Sequence, residues 1–335
     1  MRCEMYNEER KVQFIQECGL EAQRALWVAT TFNNTGLMEE ELGKDLAELT
    51  AEEVGDALAT TGIVSSMTIG NRIPLVVRYK NWCAEKGFPT VIVKTSEIRV
   101  DISDNIRDSM VYSASQLAGL LQLAFPDTSK KSVKCIYRAY LWMGFAGMQQ
   151  VDAASVRVSD VDLKSGMIHF QNRWYTIPHE GMHDLRKVCK ETEFVRIMRG
   201  KEVVFRREEG DRILRGNRLK KQATVQSYVR DTLRSTVQAG FKNIGHDGMS
   251  FLRIRKSGIF CEMFGREVHG LAVNFAPVAH DDYLAGDHVE SKANPKQKVV
   301  RRIMLAYERD YAAWKNAYSD ELMELYGLHE MPAQP

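Results

Sequence analysis

Residues 141–170, LWMGFAGMQQVDAASVRVSDVDLKSGMIHF, decide how this chain reads. They begin inside a strongly apolar run, KKSVKCIYRAYLWMGFAGM (130–148), whose large apolar side chains crowd every face and so predict a buried helix. Ala146-Gly147-Met148 closes that helix with small residues. VRVSDVDLKSGMIHF (156–170) and NRWYTIP (172–178) then read as short strands around a tight polar turn at Gln171-Asn172-Arg173. A buried helix followed by a short hairpin predicts a mainly α domain with a small β-sheet.

Working outward, the N-terminal part is helical. FIQECGLEAQRALWVATTF (14–32) has apolar residues at helical spacing, and LTAEEVGDAL (49–58) contains a Thr50-x-x-Glu53 capping box. A helix is predicted from Ser66 through MTIGNRIPLVVRYKNWCAEKG (67–87), carrying Tyr79 and Trp82 and ending at Gly87, with Pro89 beyond. Pro74 should kink it or start its main segment. TVIVKTSEIRVDISDNIRDSM (90–110) is polar and irregular. We therefore expect a helical domain over 1–95, a linker over 96–112 and a second domain over 113–335. The second domain opens with a helix capped by Ser113 or Ser115, and further helices are expected over 223–240, 255–268 and 298–318.

Composition narrows the class. With 44% hydrophobic and 27% charged residues, the chain resembles a water-soluble globular protein. No apolar run is long enough for a membrane span, and the charged start MRCEMYNEERKVQF lacks a secretory signal core. Six cysteines without a CxxC pair point to free thiols in a reducing cytoplasm. Neither a GxxxxGK[ST] nor a GxGxxG loop follows a strand, so no nucleotide cofactor is expected.

Net charge is only +2, but it is unevenly spread: residues 1–100 hold 11 Lys/Arg against 15 Asp/Glu, and residues 186–256 hold 19 against 8. An excess of that size suits a phosphate backbone. RGNRLKKQATVQSYVRDTLR (215–234) concentrates it. There Arg215, Arg218, Lys220 and Lys221 precede a helix carrying Arg230, and the helix start can point amides at phosphate. Nearby, His179-Glu180-Gly181-Met182-His183 spells HExxH. Zinc chemistry would need both histidines on a rigid helix with a third ligand. Following the strand-like RWYTIP and containing Gly181, the segment reads as a surface loop, and no metal site is expected.

The order of these pieces resembles the tyrosine recombinase (phage integrase) family, which joins a helical core-binding domain to a mostly helical catalytic domain with a small sheet. Ala146-Gly147-Met148 stands for the family's TGL element, Asp152 for the acidic residue after it, and Ser159-Asp160-Val161-Asp162 for the strand entry. ATVQSYVRDTLRSTVQAG followed by LRIRKSGIF (252–260) resembles the approach to the HxLRHTF box. The resemblance implies double-stranded DNA as partner, a homo-oligomer on that DNA, no cofactor, and transesterification by a tyrosine at a phosphate held by arginines.

The implied site departs from the family pattern. Gln149 stands where the first arginine belongs, and a neutral amide supplies no charge and no bidentate fork. Arg173 is the nearest cation to the hairpin lysine position. The second arginine is Arg255 if RKSG is matched to the box, or Arg253 if FLR is, with Leu252 or Ser250 at the histidine position. No tyrosine has the family spacing: Tyr283 has Asn274 nine residues before it and sits between carboxylates in HDDYLAGDH, while Tyr307 and Tyr311 share an apolar helix stripe with Trp314. The expected function is DNA binding linked to a mobile element, with degenerate or weak strand transfer. The alternative is an active site-specific recombinase with an unusual residue set.

Overall fold

The computed structural model describes residues 5–127, 132–198, 200–206, 212–214, 225–286 and 296–332. Its helices are α1 (Glu8–Glu17), α2 (Ala22–Leu42), α3 (Ala51–Ala59), α4 (Ser66–Glu85), α5 (Ser103–Ser109), α6 (Ala114–Ala124), α7 (Lys134–Phe145), α8 (Gln150–Ser155), α9 (Met182–Lys190), α10 (Val225–Tyr228), α11 (Arg234–Lys242), α12 (Phe251–Val268), α13 (Ala276–Ala285), α14 (Lys296–Ala317) and α15 (Ser319–Tyr326). Strands β1 (Val161–Asp162), β2 (Met167–Phe170) and β3 (Arg173–Thr176) form one antiparallel sheet in that order, and β4 (Glu193–Met198) pairs with β5 (Lys201–Arg206) in another. The fold is mainly α with small sheets, as the sequence predicts.

The chain divides into two compact units. One gathers Met1–Ile106 with Glu290–Ala317; the other gathers Arg107–Val289 with Tyr318–Pro335. In the first, α1 to α4 close around Phe14, Phe32, Val54, Leu58, Val76 and Tyr79. Gly19, at φ +58°, separates α1 from α2 within the stretch that reads as one helical pattern. The Thr50–Glu53 capping box forms reciprocally. Pro74 lies inside a continuous α4. The start of α4 is capped from α14, whose Asp310 accepts bonds from Ser66 N at 2.7 Å and Ser66 Oγ at 2.6 Å. Residues 96–112 are more ordered than their polarity suggests. Ile98, Ile102 and Ile106 are buried at four-residue spacing, and α5 forms within the stretch.

A buried lysine fastens this unit's loop between α2 and α3. Lys80 Nζ donates to the carbonyls of Leu46 (3.1 Å), Ala47 (2.8 Å) and Leu49 (2.7 Å). Replacing it by methionine fills the space but removes that donor, and Leu46 and Leu49 lose it with nothing in exchange. We expect Lys80→Met to destabilise the unit by about 3 kcal/mol, read as a lowered urea midpoint. Burial lowers the Lys80 ammonium from 10.5 to about 8. Between those values the unfolded chain binds the proton that the folded chain has lost, so this group makes stability rise with pH there. The wild-type advantage over Lys80→Met should therefore widen above pH 8, and one that narrows instead would contradict the assignment.

In the second unit α7 is buried from Cys135 to Phe145, as its apolar run requires. Ser113 caps α6, its Oγ accepting from Gln116 N at 3.1 Å. The β2–β3 turn places Gln171 and Asn172 at φ +49° and +62°, the paired left-handed geometry of a two-residue hairpin. The HExxH segment lies at the surface through the exposed His179, Glu180 and His183, as expected, but it is not a loop. His179–Gly181 is a short 3₁₀ turn running into α9, with Gly181 and Met182 buried. A Cβ on Gly181 would lie 2.7 Å from the Trp142 ring. Asp184 of α9 pairs with the buried Arg138 of α7 at 2.8 Å and accepts from Trp142 Nε1 at 3.3 Å. The segment is glycine-dependent packing against α7.

Candidate functional site

The cleft of the second unit is built where α7, the β2–β3 hairpin, α12 and α13 converge. After α7, Gly147 takes φ +94° and turns the chain so that Gln149 stands extended at the start of α8. Asp152 follows on α8. Arg173 and Tyr175, alternate residues of β3, face the same side, while Trp174 points away and stacks on His169 with ring centroids 4.5 Å apart. With Arg255 of α12 and Asp281 of α13, these residues line an open cleft of about 650 Å³, joined by Gln226 and Leu252.

Two adjacent carboxylates organise its charge. Asp282 Oδ1 accepts from Gln149 Nε2 at 2.7 Å and pairs with Arg255 Nη1 at 2.9 Å. Arg255 also donates from Nε to the Gly147 carbonyl at 2.9 Å, which locks α12 to the turn after α7. Asp281 forms an ion pair with Arg173. Arg255 is nearly buried, with 6% of its side chain exposed, whereas Arg173 is half exposed at 49%. Burial raises the Asp152 carboxyl above its usual range, against the pull of Arg173 and Arg255. Burial likewise raises the Tyr175 hydroxyl, although Arg173 beside it works the other way.

Of the residues singled out from sequence, Gln149, Arg173 and Arg255 come together here. Arg253 lies two positions from Arg255, about 200° round the helix, and does not line the cleft. Tyr283 is buried on α13 while its neighbours Asp281 and Leu284 face the cleft. Tyr307 and Tyr311 belong to the other unit, buried on α14 with Trp314. Arg215, Arg218, Lys220 and Lys221 lie outside the described residues. Arg230 falls in a π turn, Val229–Leu233, between α10 and α11, and its side chain is also outside the described set.

Residues 5–85 match the family model described as MrpR, N-terminal core-binding domain, a domain associated with tyrosine recombinase-like proteins. The match covers α1 to α4, and a core-binding domain there suggests, at that coarse level, DNA binding of a recombinase-like kind. It includes none of the cleft residues. No curated protein matches the chain.

Sequence reasoning did not place Asp152, Tyr175, Asp281 or Asp282 as partners of the cations. The signal for the aspartates was in HDDYLAGDH, where they read only as neighbours of Tyr283. Among the described residues no group of three or more His, Cys, Asp or Glu is placed to hold a metal. No helix among them is long and apolar enough to cross a membrane.

Proposed function

We propose that the protein binds double-stranded DNA through a recombinase-like fold and performs strand transfer weakly or not at all. The observation that carries this reading is the convergence of Gln149, Arg173 and Arg255 on one spot where both cations are already paired with carboxylates. Such donors can hold a phosphate oxygen when the carboxylates give way. The set is too weakly cationic to stabilise the charge of phosphoryl transfer. The basic stretch over 186–256 supplies the sequence-independent part of the affinity. Action as a homo-oligomer in the service of a mobile element follows from the recombinase resemblance, and a cytoplasmic setting from the scattered cysteines. An active recombinase is the second reading, favoured by one observation: Tyr175 faces the cleft beside Arg173.

Duplex binding should fall steeply with salt. Reversing Arg218, Lys220 and Lys221 together to Glu is expected to weaken binding on every sequence. It should also flatten the slope of log affinity against log salt by roughly one unit for each phosphate no longer neutralised. Equal affinity and slope in the triple variant at low salt would show that the basic stretch takes no part. Absence of wild-type binding at low salt would remove the DNA reading altogether.

A further inference from the structure

Asp281 and Asp282 are consecutive residues in the C-terminal half of α13, a ten-residue helix with no basic residue in its last turn. The helix dipole disfavours carboxylates there, so their stability rests on what they face. They face Arg173, Arg255 and Gln149, with Asp152 and Tyr175 on the cleft wall. One oxygen of Asp282 takes both the glutamine amide and the buried guanidinium, while Asp281 takes the exposed one. A DNA phosphate offers the same donors the same chemistry: an anion whose oxygens accept charge-assisted hydrogen bonds. The carboxylates are one-fifth to one-quarter exposed, so the place they hold can be reached from solvent.

We propose that the Asp281–Asp282 pair is a built-in competitor for backbone phosphate. It holds the anion seat in the free protein, and DNA engages the seat only by displacing it. The proposal rests on the reading of the protein as a DNA binder and adds how that binding is restrained. Phosphate entry requires either a change of rotamer at the two aspartates or withdrawal of α13, and in both cases two ion pairs are exchanged for bonds to DNA. The two aspartates thereby set how much of the protein's positive charge DNA can use. Removing their charge should release cations to bind phosphate.

The test measures binding to a mixed-sequence duplex across a salt series. Asp281→Asn keeps the side chain's size and frees the half-exposed Arg173. It is expected to bind about fivefold more tightly and to steepen the salt slope by about one unit. Asp281→Asn/Asp282→Asn should exceed tenfold with a steeper slope still. Because the double variant also leaves Arg255 without its carboxylate, a thermal melt accompanies it, and the single variant decides the matter if the double fails to fold. Asp247→Asn/Glu262→Gln makes the same change in net charge at exposed positions and should bind as the wild type does, so a matching gain there would reduce the effect to overall charge. Arg173→Gln should cost little in the wild type and abolish the gain in Asp281→Asn. Unchanged affinity and slope in Asp281→Asn, with wild-type binding intact, would overturn the competitor while leaving the DNA reading standing. Loss of wild-type binding itself would strike the DNA reading instead.

Discussion

A nicked suicide duplex incubated with this protein is expected to give no covalent phosphotyrosine adduct, and Gln149→Arg is expected not to create one. Attack by tyrosine piles negative charge onto the phosphate oxygens, and each fixed donor to that charge is worth on the order of 10²–10³ in rate. Here the donors are two arginines and a glutamine, and the arginines are matched by Asp281 and Asp282. The seat is close to neutral before any phosphate arrives. An arginine at position 149 would add one cation, but it would lie near Asp152 as well as Asp282. The geometry of the nucleophile opposes reaction independently. Attack needs the hydroxyl within about 3–3.5 Å of phosphorus and in line, whereas Tyr283 is buried and does not line the cleft.

Tyr175 makes the experiment sharp. It is the one tyrosine lining the cleft among the described residues, and burial raises its pKa, so the hydroxyl gives up its proton reluctantly. A slow-migrating adduct on a denaturing gel that disappears in Tyr175→Phe would place the nucleophile on the hairpin and establish the active-recombinase reading. One that disappears instead in Tyr283→Phe would mean that α13 turns over on DNA.

The fold is more legible than the site. The α7 run, the Thr50 capping box, the Ser113 cap and the polar hairpin turn are local signals, and local chemistry settles them. The α13 helix carries weak periodicity. The β4–β5 hairpin carries charges at Glu193, Arg196, Lys201, Glu202 and Arg206, a spacing that breaks any strict alternation, and neither element stands out. The linker reads as irregular because its isoleucines stand four residues apart within polar sequence; Ile98 is buried by joining the core that α1 to α4 close around. The HExxH segment shows the reverse case, a conspicuous motif whose glycine, Gly181, is used by the fold to fit beneath Trp142. Arg255 and Gln149 can be found by resemblance, since each stands next to a recognisable element. Their carboxylate partners come from a helix more than a hundred residues from Gln149, and no spacing rule reports a pairing of that kind.

Gly258→Ala is expected to cost the second unit several kcal/mol and about 10 °C of thermal midpoint. α7 and α12 cross in direct contact there: a Cβ on Gly258 would lie 1.7 Å from the Phe145 carbonyl oxygen and 2.6 Å from its carbon. Those are backbone atoms, so no side chain can swing aside, and the helices must separate. About two turns back along α12 the same crossing is tight again, since a Cβ on Gly144 would meet the Phe251 ring at 2.9 Å. Overpacking in a core costs about 1–3 kcal/mol when side chains can yield and more when they cannot. For a unit of this size each kcal/mol moves the midpoint by roughly 2–4 °C. Arg255 lies three residues before Gly258 and bonds to the Gly147 carbonyl across the same crossing, so any folded remnant should also show altered salt dependence on DNA. Gly119→Ala provides the contrast. That glycine is exposed on α6 with nothing within 4 Å of a new Cβ, so alanine should leave stability unchanged or slightly raised. Calorimetry that finds Gly258→Ala melting alongside the wild type would mean the two helices do not meet at the backbone, and the link from Gly147 to Arg255 would lose its support.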